Sequence, residues 1–247
     1  MVLTGSVVRD FFMGFQTPSF SVSGENVATI KQQAFKSSPV SYAYFPNVTS
    51  IGMYAFAGCS RLSSIDAPKT KTIEGYAFSQ CFSLAKISFP SATSIGASAF
   101  YQCSAVSDVS LPEVTRIEAA AFFSCMSMSS INLPKLSSCA STAFMNCNHL
   151  QTFIAGQAAA ATTIYSGAFR GCVALESVYL LGASKASIQN SSVFYSSPIA
   201  SSSYLGHFGS VFVPASLLSE YKSYGAWSYF SDRLVGLTDE QIAALPI

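Results

Sequence analysis

The sequence predicts a solenoid in which short parallel strands stack into one sheet of about eight or nine rungs, capped at both ends. Three observations predict it. Phe56, Phe78, Phe100, Phe122 and Phe144 each follow an alanine and recur every 22 residues. Cysteines stand three residues after them, at Cys59, Cys81, Cys103, Cys125 and Cys147, and Cys172 follows Phe169 in the same way. An apolar–x–apolar segment then runs into Pro46, Pro68, Pro90, Pro112 or Pro134. A unit of this length cannot bury its own apolar face, but stacked units bury it jointly.

The elements follow in chain order. Residues 1–18 are expected to form an N-terminal cap, because Val8, Phe11, Phe12 and Phe15 have helical spacing and Ser6 can cap that turn. Val22 to Ile30 reads as a degenerate first rung, with Glu25 where Pro46 sits one unit later. The solenoid proper spans 19–214. Its strands are segments such as Ile87-Ser88-Phe89-Pro90 and Ile131-Asn132-Leu133-Pro134, with proline at the exit because it cannot donate to a ladder. Like units stacked in one direction make a parallel sheet with a rung every ~4.8 Å. Ile51, Ile73, Ile95 and Ile117 open successive units. The Phe–Cys arc stays open between α, 3₁₀ and extended conformations, since apolar runs this short are ambiguous.

The phenylalanine column, at one ring per rung, is expected to be an internal spine. The cysteine column could instead be reactive or metal-binding. A spacing of 22 offers no local chelate, and seven thiols cannot all pair within the chain. Cys139 falls where the opening isoleucine is due, so thiols here are expected to pack as small apolar groups.

Towards the end the units lengthen. "GQAAAATT" adds three residues, and "SSPIASSSYLGHFG" pushes the last strand, Val211–Pro214, 33 residues beyond Val178. Insertions in a solenoid emerge as loops on one face. Tyr195, Tyr204, His207 and Phe208 lie in or beside the longest, which is either a solvated serine loop or part of a site. Residues 215–247 read as a helical cap, with Trp227 in its core and Thr238–Gln241 as a capping box.

Composition narrows the function. Half the chain is apolar, 10% is charged and the net charge is +1, so no field draws it to nucleic acid. No apolar run approaches the ~18 residues of a membrane span, and membrane insertion is not expected. "MVLTGSVVRDFFMGF" lacks the basic start of a signal peptide. His149 and His207 are the two histidines, the acids are scattered over different columns, and no nucleotide-binding, zinc or nucleophile-elbow motif occurs. Neither catalysis nor a cofactor nor a metal is expected.

What remains is surface. Each strand leaves one residue pointing outwards between two inward ones: Tyr44, Asp66, Ser88, Ser110, Asn132, Ile154, Tyr179 and Phe212. Beside it runs a second outward column of Ser64, Lys86, Asp108, Ser130, Thr152 and Ser177. This weakly charged, hydroxyl-rich face suits a protein or glycan better than an ionic ligand. The expected contact surface is Tyr44, Asp66, Ser88, Ser110, Asn132, Ile154 and Tyr179 with Tyr204 and His207.

The pattern I-x-x-x-A-F-x-x-C-x-x-L-x-x-I-x-L-P over about residues 19–214 resembles the BspA-like leucine-rich repeats of bacterial surface proteins. The resemblance implies an α/β-type leucine-rich-repeat solenoid, a right-handed superhelix with a parallel sheet on one face. It also implies an extracellular or cell-surface location and adhesion to a protein or glycan. The tail from Val211 resembles the endings of repeat proteins of gut bacteria, some within prophages, so the alternative is a structural spacer or virion-associated part with no ligand of its own.

Overall fold

The computed structural model describes residues 19–157, 161–200, 208–223 and 225–245. The expected N-terminal cap (1–18), Tyr204 and His207 lie outside them.

Among the described residues, strands run along two faces of a stack. The front face carries Phe20–Ser23, Val40–Tyr44, Ser64–Asp66, Lys86–Ser88, Asp108–Ser110, Ser130–Leu133, Thr152–Ala155, Ser177–Leu180, Ser210–Pro214 and Leu234–Leu237. Neighbours are parallel and in step with the repeat, so Ile131 faces Phe153 and Phe153 faces Val178. Ladder bonds divide this face into runs of three, two and five strands, interrupted before Lys86 and before Ser130. The second face is an eight-stranded parallel ladder of two-residue strands, from Thr29–Ile30 to Ser187–Ile188, that pairs Ile51 with Ile73 and Ile117 with Cys139. This second ladder is an addition to the one sheet expected. Its strands are too short to show alternation.

Between the faces runs the Phe–Cys arc, which is neither helical nor extended. It is a chain of tight turns. Ala55 N–H, Ala57 N–H and Cys59 N–H close turns onto Gly52, Tyr54 and Phe56 carbonyls at 3.0–3.1 Å. The alternate amides of Tyr54, Phe56 and Gly58 donate instead to Gly75, Ala77 and Ser79 of the next unit at 2.7–3.2 Å. Every second N–H thus ties one unit to its neighbour, which satisfies a buried backbone without helix or strand. From Phe35 to Phe169 the geometry requires left-handed residues two before and two after each spine phenylalanine. Gly58, Gly167 and Gly171 fill some of these places, but Tyr76, Gln80, Ser98, Gln102 and Thr142 also adopt φ of 54–61°.

The interior is built from matching side chains in contact. The rings of Phe35, Phe56, Phe78, Phe100, Phe122, Phe144, Phe169 and Phe194 stack in sequence with centroids 4.9–5.6 Å apart and planes within 13°. All are buried. Offset stacking of this kind adds about 0.5–1.5 kcal/mol per pair to the burial itself.

The cysteines pack beside this spine, free and buried. They also do something the spacing did not reveal. Cys81 Sγ donates to the Phe56 carbonyl at 3.2 Å, Cys103 to Phe78 at 3.0 Å and Cys125 to Phe100 at 3.2 Å, and Cys59, Cys147 and Cys172 repeat the contact. Each of these phenylalanine carbonyls from Phe56 to Phe144 accepts its own unit's cysteine N–H and the next unit's thiol. A small apolar group with a weak donor meets both demands of the site. Burial pushes Cys59, Cys103 and Cys147 up to about 12 and raises the other four as well.

At the C-terminal end the ring stack runs into Phe230, edge-on to Phe194 at 5.3 Å, and Trp227. Ala186, beside the last short strand, has no further unit to pair with. Its N–H donates to Tyr221 Oη at 2.6 Å, and its carbonyl accepts Trp227 Nε1–H at 2.7 Å. Tyr221 lies on the helix Leu218–Ser223 and Trp227 on the kinked 3₁₀ segment Gly225–Arg233. Leu234–Leu237 then adds a last rung to the front face. The helix Asp239–Ala243 opens with the capping box of Thr238 and Gln241.

Candidate functional site

Among the described residues, three hollows open on the front face, lined mainly by outward side chains of the strands. The N-terminal one, about 420 Å³, lies among Ser21, Ser23, Tyr42 and Tyr44. The central one, about 280 Å³, sits at the first interruption of the ladder, among Ser64, Asp66, Lys86 and Ser88. The third, about 460 Å³, lies among Ser130, Asn132, Thr152, Ile154, Tyr179 and Leu245.

Register brings the expected contact residues into one column. Tyr44 is the Cα partner of Asp66, Ser88 of Ser110, and Asn132 of Ile154, which in turn faces Tyr179. Alternation along each strand turns these side chains away from the core. Asp66 and Ser110 are exposed, while Tyr44, Ser88, Asn132 and Tyr179 are half-buried. Ile154 departs from its neighbours at 7% exposure, because it shares its hollow with Tyr179 and with Leu245 from the far end of the chain.

Charge on this face is sparse. Lys86 Nζ lies 2.9 Å from Asp108 Oδ2 in the adjacent rung, both well exposed. Below the front face, Lys135 meets Glu113 at 2.7 Å, again one unit away. Exposed pairs of this kind contribute at most about 1 kcal/mol each. They leave a face without a dominant sign.

Aromatic side chains cluster towards its ends. Tyr179 and Phe212 stack with centroids 4.6 Å apart and planes 14° apart. Asn132 Oδ1 is buried without a hydrogen-bond partner. Sequence reasoning missed Leu245. The one signal was Ile242 and Leu245 at helical spacing after the capping box, an apolar edge with no stated destination.

Little here resembles a catalytic constellation. His149 is exposed, with Nδ1 2.6 Å from the Met126 carbonyl. Among the described residues no group of three His, Cys, Asp or Glu could hold a metal ion, and no helix is long and apolar enough to cross a membrane.

Solved structures share this architecture. A leucine-rich cell surface protein of Faecalibacterium prausnitzii is 24% identical, covering 74% of this chain and 59% of its own, with a TM-score of 0.56. A leucine-rich repeat protein of Bacteroides ovatus is 24% identical over 78% of this chain and 55% of its own, with a TM-score of 0.52. The Treponema pallidum leucine-rich repeat protein is 25% identical over 69% of this chain and 73% of its own, with a TM-score of 0.51. The chain therefore spans little more than half the length of the first two. No curated protein matches it. The repeat signature described as "BspA type Leucine rich repeat region" matches six copies, over residues 28–151 and 93–210. With the Phe spine, the cysteine column and the parallel rungs all in register with that signature, the chain belongs to the BspA-type leucine-rich repeat family.

Proposed function

We propose that this chain is a non-enzymatic interaction module at a bacterial cell surface, which holds a protein or glycan partner against the outward face of its front sheet. One observation carries the reading: the three hollows all open on that face, between side chains that the repeat brings into line. The face combines hydroxyls, amides and ring surfaces with nearly balanced charge. Such a surface recognises by shape and by short polar contacts rather than by long-range attraction. The surface location draws support from the F. prausnitzii relative, itself a cell surface protein.

The test is binding of the full chain to a panel of glycans and extracellular-matrix proteins. Ser88→Arg and Ser110→Arg place bulk and charge in the middle of the column. Both are expected to abolish capture without lowering the melting temperature. Ala97→Arg and Ala119→Arg, exposed on the turn arc, are expected to leave capture intact. Equal binding by all four variants would remove the front face from the account and favour a passive spacer.

A further inference from the structure

Among the described residues, Asn132 carries the one buried side-chain polar atom without a hydrogen-bond partner. Its Oδ1 is buried and accepts no hydrogen bond, although buried polar atoms in folded proteins are nearly always satisfied. Ser130, Thr152 and Tyr179 line the same hollow with hydroxyls, yet none donates to it. Closed to solvent as it stands, this atom accepts from a molecule outside only when the cover of its hollow gives way.

The walls state what kind of molecule could bring a donor. Running inward from the C-terminal end, the outward column reads Val235, Phe212, Tyr179, Ile154, Asn132. Tyr179 has one ring face on Phe212 and turns the other towards the next rung. A third ring would extend the pile, but Ile154 and Asn132 stand there instead. The pile therefore ends at a shelf of about 460 Å³, within the range of small-ligand sites. Among the described residues no charged side chain lines it, which favours a neutral ligand over an ionic one. The shelf offers a ring face, an aliphatic floor, three hydroxyls and an unfilled acceptor. A saturated ring with polarised C–H bonds on one side and hydroxyls on its rim meets all four, since the face of an aromatic ring is electronegative.

We propose that this shelf is a sugar subsite that seats one neutral pyranose of a glycan, with a hydroxyl donating to Asn132 Oδ1 and a C–H face on Tyr179 and Ile154. The proposal rests on the front-face reading and specifies its ligand class. Leu245 lines the shelf as well. The helix that precedes it, Asp239–Ala243, buries none of its residues. Leu245 thus fills the apolar place of the sugar from a weakly held support, and it moves aside when the sugar enters.

The experiment titrates the full chain with the methyl pyranosides of glucose, galactose, mannose and N-acetylglucosamine, read by saturation-transfer and amide-shift NMR. At least one is expected to bind and to shift the Asn132 side-chain amide signals. Asn132→Ala and Tyr179→Ala are each expected to weaken it tenfold or more, and Leu245→Ala to tighten it several-fold. The shifts in the unmodified protein keep the test decisive if a variant unfolds. Binding to none of the four glycosides, shifts confined to other rungs, or affinity unchanged in Asn132→Ala would overturn the subsite. If Ser88→Arg and Ser110→Arg abolish capture of a macromolecule while no glycoside binds, the subsite alone fails. If a glycoside binds at Asn132 while every front-face variant captures the partner normally, the wider reading alone fails.

Discussion

Alkaline pH is expected to unfold this protein through its thiols. All seven are buried, and burial holds Cys59, Cys103 and Cys147 at about 12 and raises the rest above the ordinary value of 9.0. Below pH 9 folded and unfolded chains both keep their thiol protons, and the stabilisation is fully present. Between about 9 and 12 the unfolded chain releases protons that the folded chain retains. Each thiol then removes about 1.4 kcal/mol of stability per pH unit. Seven acting together remove roughly 10 kcal/mol per unit, comparable with the ~5–15 kcal/mol that holds a domain folded. Urea titrations of fully reduced, deoxygenated protein at half-unit steps from pH 8 to 10.5 are expected to show a flat region and then a steep fall. Cys103→Ala lowers the whole curve by creating a small cavity, so the informative quantity is slope: one thiol fewer flattens the fall by about 1.4 kcal/mol per pH unit. A slope above pH 9.5 of less than about 2.7 kcal/mol per pH unit, the equivalent of two protons, identical in Cys103→Ala, would refute the buried column.

Three other perturbations probe the stack. Phe100→Ala interrupts the ring column between Phe78 and Phe122 and is expected to cost about 3–5 kcal/mol in urea unfolding. Thr142→Gly relieves a β-branched residue held at φ 58°, in a position that Gly167 fills in the next unit. It is expected to stabilise by about 1 kcal/mol, the cost of the left-handed conformation, seen as a rise in urea midpoint. Tyr221→Phe strips the Ala186 N–H of its acceptor; a loss of about 1–3 kcal/mol and faster amide exchange at Ala186 are the expected readouts.

The parts of this architecture that repeat were legible, because a column of identical residues reports its environment many times over. Phe100 or Cys103 alone would be ambiguous, but eight rings and six thiols in register admit one packing. The turn arc was not legible. It depends on left-handed conformations at Gln80, Ser98 and Gln102, residue types that do not advertise positive φ, and the inter-unit amide bonds supply what glycine would otherwise provide. The second ladder was hidden for a related reason: Thr72-Ile73 and Ser94-Ile95 are too short to alternate. At the candidate site, register alone placed Asn132, Ile154 and Tyr179 side by side. Leu245, which shares the hollow with Ile154, comes some ninety residues further along the chain, and no local pattern encodes a proximity of that range.

The way Ala186 is closed has a genetic corollary. Tyr221 and Trp227 supply to that residue the acceptor and donor that another coil would have supplied, so the terminus is indifferent to how many coils precede it. An in-frame duplication or deletion of one unit would lengthen or shorten the rod by a single step while both the last ring contact and the closing pair stay as they are. Reach, in such a molecule, can drift by recombination without the ending having to be reinvented.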